Sequence, residues 1–345
     1  MALTSYLIRL PSLCVLDLVG EDATAILHNL TTNQIKSLTA EGETRDGVET
    51  FITNVRGKCL GHVFAFAIEN GFRLIGAPGI SGETDGQRQS TAIAEHADRY
   101  TIREDATPMI RDEDFAAWVV LQSNDTSLSV ADNSVQPTTK PTMTCYDGVD
   151  AYQLPWVPAG TMYLLPSGSE DHVDTIAAAT GAAAISAETA EFAVGDEVLF
   201  HQHRIAAGFP WYGVDLTDAH LPQEADREKQ TISFTKGCYL GQETVARLDA
   251  LGQVQKKLVR WRLQGVSPSA KPSADDKLFA EDAAADSKPV GRITSVGEVN
   301  ENGVGMAMGY ARRSHFDAGS VMVGKVGDVS YTAEVLPPIV GESPE

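Results

Sequence analysis

The chain has 345 residues, of which 43 % are hydrophobic, and a formal net charge of -20 from 47 acidic and 27 basic residues. This length and composition are ample for a packed core and predict two or three domains. A surface this acidic repels phosphate groups as a whole, so the charge balance argues against a protein that binds nucleic acid directly.

The cysteines indicate a reducing compartment. Cys14, Cys59, Cys145 and Cys238 lie far apart, without a C-x-x-C pair or the spacing of a disulfide framework. The first residues lack a basic start followed by an apolar run, and no apolar segment approaches the length of a membrane span. We therefore expect a cytoplasmic protein with no membrane partner.

The first part of the chain has the pattern of an α/β unit. Residues 13–19 predict a strand, and the apolar residues after it recur at helical spacing: Ala23, Ile26, Leu27 and Leu30. Asn70-Gly71 between two apolar runs predicts a β-hairpin. The remaining predictions in this part are a polar-faced helix over 85–99, a strand from Phe115 to Leu121 and a long surface connection over 122–143.

A second stretch repeats this pattern, although not the sequence. The predictions here are a turn at 146–148, a strand from Gly160 to Leu165, an alanine-rich helix over 170–185 and a helix from about Glu188 to His203. Two units of strands and helices indicate a duplicated α/β module. Its subdomains would cover about 1–122 and 144–252 and could be intertwined.

The composition changes after Gly252. Residues 256–263 alternate like a strand, 266–289 predict a loop, and short strands among glycine and asparagine turns follow at 291–296, 306–310 and 321–323. This spacing predicts a small antiparallel β-barrel over 253–345. The predicted fold class is therefore α+β, with the duplicated module over 1–252 followed by the barrel.

The strongest functional signal is the octet Lys236-Gly237-Cys238-Tyr239-Leu240-Gly241-Gln242-Glu243. A helical segment follows, which we expect to start at about Gly241. A lysine and the N–H groups of a helix start both favour an ionised thiol, so Cys238 is the candidate working thiol and Lys236 its activator. Two simpler interpretations remain open: Cys238 as a small buried hydrophobe in a turn, and Gln242 and Glu243 as plain helix caps.

The octet resembles the signature K-G-C-[FY]-x-G-Q-E of the YgfZ family, folate-binding relatives of the glycine-cleavage T-protein. Further similarity lies in residues 18–23, 30–33, 204–216, 221–224 and 291–295, so the resemblance spans nearly the whole chain. It implies three domains arranged as a ring around a channel for tetrahydrofolate or a related reduced folate.

The resemblance also implies a set of folate-binding residues, which are Asn33, Arg204, Trp211, Tyr212 and Glu224. The rings of Trp211 and Tyr212 would stack on a pterin, or they bury a loop against the core. Two departures stand out in the sequence. Gly61 and His62 occupy the places of an acidic pair that assists aminomethyl transfer in T-proteins, and Ala206 stands where relatives often have a pterin-binding glutamate. Glu224 could supply that carboxylate instead.

Three functions follow as alternatives. The first is a tetrahydrofolate-binding accessory protein that uses Cys238 in the assembly or repair of iron–sulfur enzymes, with those enzymes or assembly proteins as partners and an indirect effect on tRNA modification. The second is a tetrahydrofolate-dependent aminomethyltransferase, and the third is a thiol-bearing scaffold without catalysis.

We expect no metal site, since His201 and His203 point to different sides of a helix. The basic residues between Arg247 and Arg262 could bind a glutamate tail or a partner's phosphates, or form a solvated strand face.

Overall fold

The computed structural model describes residues 4–79, 87–123, 140–146, 148–156, 160–169, 172–183, 192–252, 254–284 and 286–339. Within these ranges, no helix combines the length and the apolar character that a membrane crossing needs.

One large sheet dominates the part of the chain before residue 196. Its strands, in chain order, are β1 (Thr4–Arg9), β2 (Cys14–Val19), β3 (Thr44–Thr53), β4 (Cys59–Ile68), β5 (Gly71–Gly76), β6 (Thr107–Ile110), β7 (Phe115–Ser123), β8 (Thr142–Tyr146), β9 (Val149–Gln153), β10 (Gly160–Pro166) and β11 (Phe192–Gly195). Their spatial order is β11-β1-β7-β10-β9-β8-β3-β4-β5-β2-β6. The pairing of β3 with β8 joins two half-sheets. Because β1 and β7 lie beside β10 and β11, N-terminal strands complete the half-sheet that is built mainly from later residues.

Helices pack against this sheet and lead into a barrel. They are α1 (Ala23–Leu30), α2 (Gln89–Tyr100), α3 (His172–Ala183), α4 (Glu197–Ala206), α5 (Glu228–Thr231) and α6 (Gln242–Leu251), with a 3₁₀ turn over Pro222–Ala225. The closed barrel consists of β12 (Lys256–Gln264), β13 (Lys277–Ala280), β14 (Gly291–Val299), β15 (Gly305–Arg312), β16 (Val321–Val326) and β17 (Val329–Val335). Its described pairings are antiparallel.

The apolar runs of the sequence occupy the centre of the sheet. The hydrophobic residues 63–67 of β4 are all buried, because this strand has covering layers on both of its faces. The predicted face of α1 is buried as well. The predicted hairpin joins β4 to β5 with Ile68 paired to Gly71, and Asn70 has the positive φ of 63° that such a tight turn requires.

Several sequence predictions are wrong in detail. The predicted helix over 188–203 contains β11 instead, which gains a parallel partner in β1, and α4 begins only after Asp196 caps the N–H of Leu199 at 2.9 Å. The predicted loop 266–289 contains β13, and the predicted connection 122–143 contains the end of β7 and the start of β8. The helix predicted from residue 85 begins at Gln89. Residues 85–86, 124–139, 147, 170–171 and 184–191 lie outside the described ranges.

Candidate functional site

The octet forms a loop between α5 and α6 that packs on the earlier part of the chain. The backbone N–H of Leu240 donates to the oxygen of Asn29 at 2.9 Å, and the hydroxyl of Thr53 donates to the oxygen of Leu240 at 2.7 Å. The loop is thus bound to the end of α1 on one side and to the end of β3 on the other.

Gly241 is required at its position for two reasons. It precedes α6 with a φ of 78°, where a residue with a side chain is strained. A Cβ atom there would lie 2.4 Å from the oxygen of Asn54 and 2.6 Å from the Cα of Gly57. The predicted start of the helix at about Gly241 agrees with α6, which begins at Gln242.

Lys236 is buried and holds the octet against α1. Its ammonium donates to the backbone oxygens of His28 at 2.7 Å, Thr31 at 2.5 Å and Asn33 at 2.9 Å. These oxygens lie at and just beyond the C-terminal end of α1, where the helix dipole favours a positive charge. Burial, followed by the nearby charge of Lys36, lowers the pKa of Lys236 to about 7.

These contacts alter the interpretation of Lys236. Within the described ranges, all hydrogen bonds of its ammonium go to oxygens of residues 28–33, and the ammonium also lies 5.1 Å from the ring centroid of the buried Tyr239. A role as direct activator of Cys238 stays a prediction, whereas the contacts themselves fix the shape of the loop.

Cys238 is exposed, so the interpretation as a buried hydrophobe is wrong. Gly237 beside it is exposed too, and a Cβ atom at this position would make only an ordinary contact, 3.8 Å from His28 Nε2. Cys14 and Cys59 are fully buried, and burial raises the pKa of both thiols. Cys145 is intermediate in exposure. Of the four thiols, Cys238 is therefore the one best placed to meet a partner.

Gln242 and Glu243 lie in the first turn of α6. Glu243 is exposed in this first turn, where the helix dipole favours a carboxylate, and the capping interpretation stays a prediction. Gln242 is half-buried, and its backbone N–H donates to the oxygen of Tyr239 at 3.2 Å.

Asn33 connects three segments. Its amide nitrogen donates to the oxygens of Glu49 at 3.0 Å and Gln230 at 2.8 Å, and its side-chain oxygen accepts from the N–H of Gln34 at 2.8 Å. The side-chain amide is therefore fully engaged inside the protein.

Arg204 joins the central segment to the barrel. Its guanidinium donates to the carboxylate of Asp215 at 2.7 Å and to the hydroxyl of Ser295 in β14 at 2.8 Å. Asp215 is completely buried and also accepts from Ser295 and from Thr294, so it is the centre of this network. Asp215 was not predicted as a site residue from the sequence, and its partners in the barrel are 79 and 80 residues away.

Trp211 and Tyr212 are both buried. The ring of Trp211 packs against Trp156 and Phe200 at centroid distances of 5.3 and 5.2 Å, and the hydroxyl of Tyr212 donates to the oxygen of Cys59 at 3.2 Å. These contacts match the alternative in which the two rings bury a loop against the core. Stacking on a pterin stays a prediction.

Glu224 lies at the junction with the barrel. Its carboxylate accepts from the N–H of Leu221 at 3.1 Å, which caps the 3₁₀ turn, and it lies 3.8 Å from the ammonium of Lys256. The five predicted folate residues each have partners within the protein, and a folate site formed by them stays a prediction.

His62 in β4 belongs to a buried charged cluster with Glu49 in β3 and Arg227, two residues that were not predicted from the sequence. His62 is stacked between the rings of Phe51 and Phe209 at 4.7 and 5.1 Å, and its Nε2 lies 2.7 Å from the carboxylate of Glu49. Arg227 binds both oxygens of that carboxylate at 2.5 Å. Burial would raise the pKa of Glu49, but Arg227 and His62 outweigh it and hold the pKa at about 2. Burial lowers the pKa of His62.

The basic stretch after Arg247 is largely paired. Lys257 binds Asp226 at 2.7 Å, Arg262 lies 3.6 Å from Glu334, and Arg260 donates to the backbone oxygens of Ala206 and Pro337. The contacts with Asp226 and Ala206 tie the barrel to the earlier part of the chain. Among the described residues, no group of three or more histidine, cysteine or acidic side chains is arranged to hold a metal ion.

Comparison with known proteins gives partial sequence matches and one fold-wide structural match. The tRNA-modifying protein YgfZ of Aliivibrio fischeri (strain MJ11) is 39 % identical over 84 residues, which is 24 % of this chain and 26 % of that protein. The mitochondrial iron-sulfur cluster assembly factor IBA57 of Homo sapiens is 38 % identical over 85 residues, which is 22 % of this chain and 24 % of the factor. The matches thus span about a quarter of the length of these relatives. No protein-family model matches the chain.

One solved structure matches almost the whole length of this chain. The glycine cleavage system aminomethyltransferase T from Bartonella henselae superposes with a TM-score of 0.64 at 14 % identity, over 98 % of this chain and 87 % of that one. At this identity the likeness concerns the fold alone. It confirms the predicted class, a mixed α/β module followed by an antiparallel barrel.

Proposed function

We propose that this chain, which is a relative of the YgfZ family with the fold of the glycine-cleavage aminomethyltransferase T, uses the thiol of Cys238 to support the assembly or repair of iron–sulfur enzymes. The names of its relatives include iron-sulfur cluster assembly and tRNA modification. The observation that carries the proposal is the exposure of Cys238 on a loop that buried neighbours hold in place.

The chemistry needs only an accessible sulfur. The thiol would lose its proton to solvent and donate a sulfur lone pair to an iron atom of a partner's cluster, which is cargo here and not a resident cofactor. Lys236 and Gly241 would keep the sulfur in one position by fixing the loop on both sides of Cys238. Because the net charge of the chain is -20, an effect on tRNA would be indirect, through the enzymes that modify it.

The test is complementation of a deletion strain by single cysteine variants. Cys238→Ser should leave the melting temperature unchanged and abolish support of iron–sulfur enzyme activity. Cys145→Ser, the matched control at a half-exposed site, should behave like the wild type. Full support by Cys238→Ser would remove the basis of the proposal and leave the scaffold alternative.

We further propose, from the relationship to the family alone, that the chain binds a reduced folate. Titration calorimetry with about 1 mM tetrahydrofolate should give heat and a raised melting temperature through mass action. Absence of both would exclude folate without affecting the thiol proposal.

The aminomethyltransferase alternative is less well supported. His62 occupies the position of an acidic residue of T-proteins. The nearest carboxylate, that of Glu49, is bound on both oxygens by Arg227. A developing charge on folate would therefore find no unengaged carboxylate there. We expect no methylene-tetrahydrofolate from an aminomethylated carrier protein. Turnover of about 1 per second or faster in a coupled assay would favour the transferase instead.

A further inference from the structure

The barrel and the segment before α5 enclose two adjoining clefts that the proposed function does not use. One, of about 530 Å³, lies between residues 214–220 and the barrel. The other, of about 740 Å³, shares Lys256 and Arg312 with it. The cationic side chains that line the two clefts are Lys256, Arg292, Arg312 and Arg313. This is an unusual concentration in a chain with a net charge of -20.

The strand register places three of these cations on one face of the barrel. Lys256 is paired directly with Arg312 between β12 and β15, and Arg292 is paired with Tyr310 between β14 and β15. Residues 310 and 312 are two apart and so share a face. Like charges directly opposite each other on paired strands destabilise a sheet. A bound anion would remove that cost.

Carboxylates of the chain lie beside Lys256 and Arg292. Glu224 lies 3.8 Å from Lys256, whose ammonium also lies over the ring of Tyr310, and Asp275 lies 3.3 Å from Arg292. The guanidinium groups of the exposed Arg312 and Arg313 have neither an ion pair nor a side-chain hydrogen bond within the described ranges.

Neutral hydrogen-bond donors line the same cleft. The imidazole of His220 stacks on Tyr310 at 4.5 Å and accepts the N–H of Thr217 at its Nδ1, so its own proton is on Nε2. Burial, followed by the charge of Lys256, lowers the pKa of His220 to about 3 and keeps the ring neutral. The side chain of Tyr310 is 5 % exposed, and its hydroxyl has no hydrogen-bond partner among the described residues.

We propose that this cleft binds a small molecule that carries a phosphate group, with the phosphate held between Lys256 and Arg312. A phosphate has nearly two charges and three acceptor oxygens, which suits two cations on neighbouring strands. A cleft of 530 Å³ fits a small organic molecule. A long nucleic-acid strand would meet repulsion from the acidic remainder of the surface.

The experiment is titration of the full chain with inorganic phosphate and pyrophosphate at constant ionic strength, by calorimetry and thermal shift. Arg312→Gln should bind pyrophosphate about tenfold more weakly than the wild type. Without ligand its melting temperature should equal or exceed that of the wild type, because the opposed pair is gone. Arg99→Gln changes the net charge equally at an exposed site on α2 and should bind like the wild type.

The proposal would be overturned if pyrophosphate raised the melting temperatures of all three proteins equally. It would also be overturned if the wild type responded to neither phosphate nor pyrophosphate. Succinate that binds as tightly as pyrophosphate would exclude the phosphate class. Binding of tRNA without binding of pyrophosphate would contradict the small-molecule assignment.

Discussion

The ammonium nitrogen of Lys236 lies 2.7 Å from the backbone oxygen of His28, 208 residues earlier in the chain. This contact joins the cysteine loop to the first helix of the protein. The loop is therefore shaped by tertiary structure and not only by its own sequence, and the variants below separate this structural task from the chemistry of the thiol.

Replacement of Lys236 by methionine should destabilise the protein. Three backbone oxygens would lose their donor, which costs about 1–3 kcal/mol in the free energy of unfolding. Urea unfolding at pH 7 measures this loss. Lys229→Met, at an exposed position of α5, is the control and should change little.

The same pair of proteins has a characteristic pH dependence. The pKa of Lys236 is about 7 in the folded protein and 10.5 in the reference state, so the unfolded chain binds more protons between these values. The stability of the wild type relative to Lys236→Met should therefore increase as the pH rises from about 7 towards 10. A difference that stays constant over this window would contradict the lowered pKa.

The cysteines should react with iodoacetamide in the order of their exposure. Cys238 should be fastest, Cys145 slower, and Cys14 and Cys59 slowest, since burial shields both and raises their pKa values. Mass spectrometry of native protein at neutral pH gives the four rates, and denatured protein, in which the rates should converge, is the control. A rate for Cys238 no higher than that for Cys14 would be incompatible with a working thiol.

The sequence predicted those parts of the fold that local pattern decides. The face of α1, the hairpin at Asn70 and the barrel strand β12 each have a periodicity or turn residue that specifies them without distant partners. Strand β13 has only four residues and β11 likewise, so pairing with a neighbour strand, and not periodicity, determines their conformation. Such short strands are not recognisable from sequence.

The candidate site shows the same difference between features that local sequence determines and features that distant contacts determine. The octet correctly indicated a helix start after Gly241, whereas the role of its exposed cysteine stays a prediction. No local pattern could indicate that Glu49 meets Arg227, 178 residues later, because only the folded sheet brings β3 to that segment. A carboxylate inside a strand that is otherwise buried was the available signal, and no strand was predicted over 44–53.

The two glycines that flank α6 offer a matched test of the loop geometry. Gly241 and Gly252 both have positive φ, 78° and 58°, but a Cβ atom meets backbone at 2.4 Å only at Gly241 and finds nothing within 4 Å at Gly252. Gly252→Ala should cost about 1–2 kcal/mol from backbone strain alone. Gly241→Ala should cost clearly more, as measured by urea unfolding. Equal costs would mean that the approach to Asn54 does not constrain the loop.

The buried carboxylate of Glu49 should govern acid stability. Because its pKa is about 2 in the folded protein and 4.5 in the reference state, its contribution is full above about pH 4.5 and is lost as the pH falls towards 2. The shift corresponds to about 3 kcal/mol.

Glu49→Gln tests this contribution, because it keeps the shape and removes the titration. At pH 7 the variant should be less stable by about 3–5 kcal/mol, since Arg227 keeps its charge in a largely buried site without a carboxylate. The difference from the wild type should shrink as the pH falls below 4.5, whereas Glu95→Gln, at an exposed position of α2, should follow the wild type throughout. A difference that is as large near pH 3 as at pH 7 would mean that Glu49 does not titrate with a lowered pKa, and the cluster with His62 would then contribute packing without an ionised carboxylate.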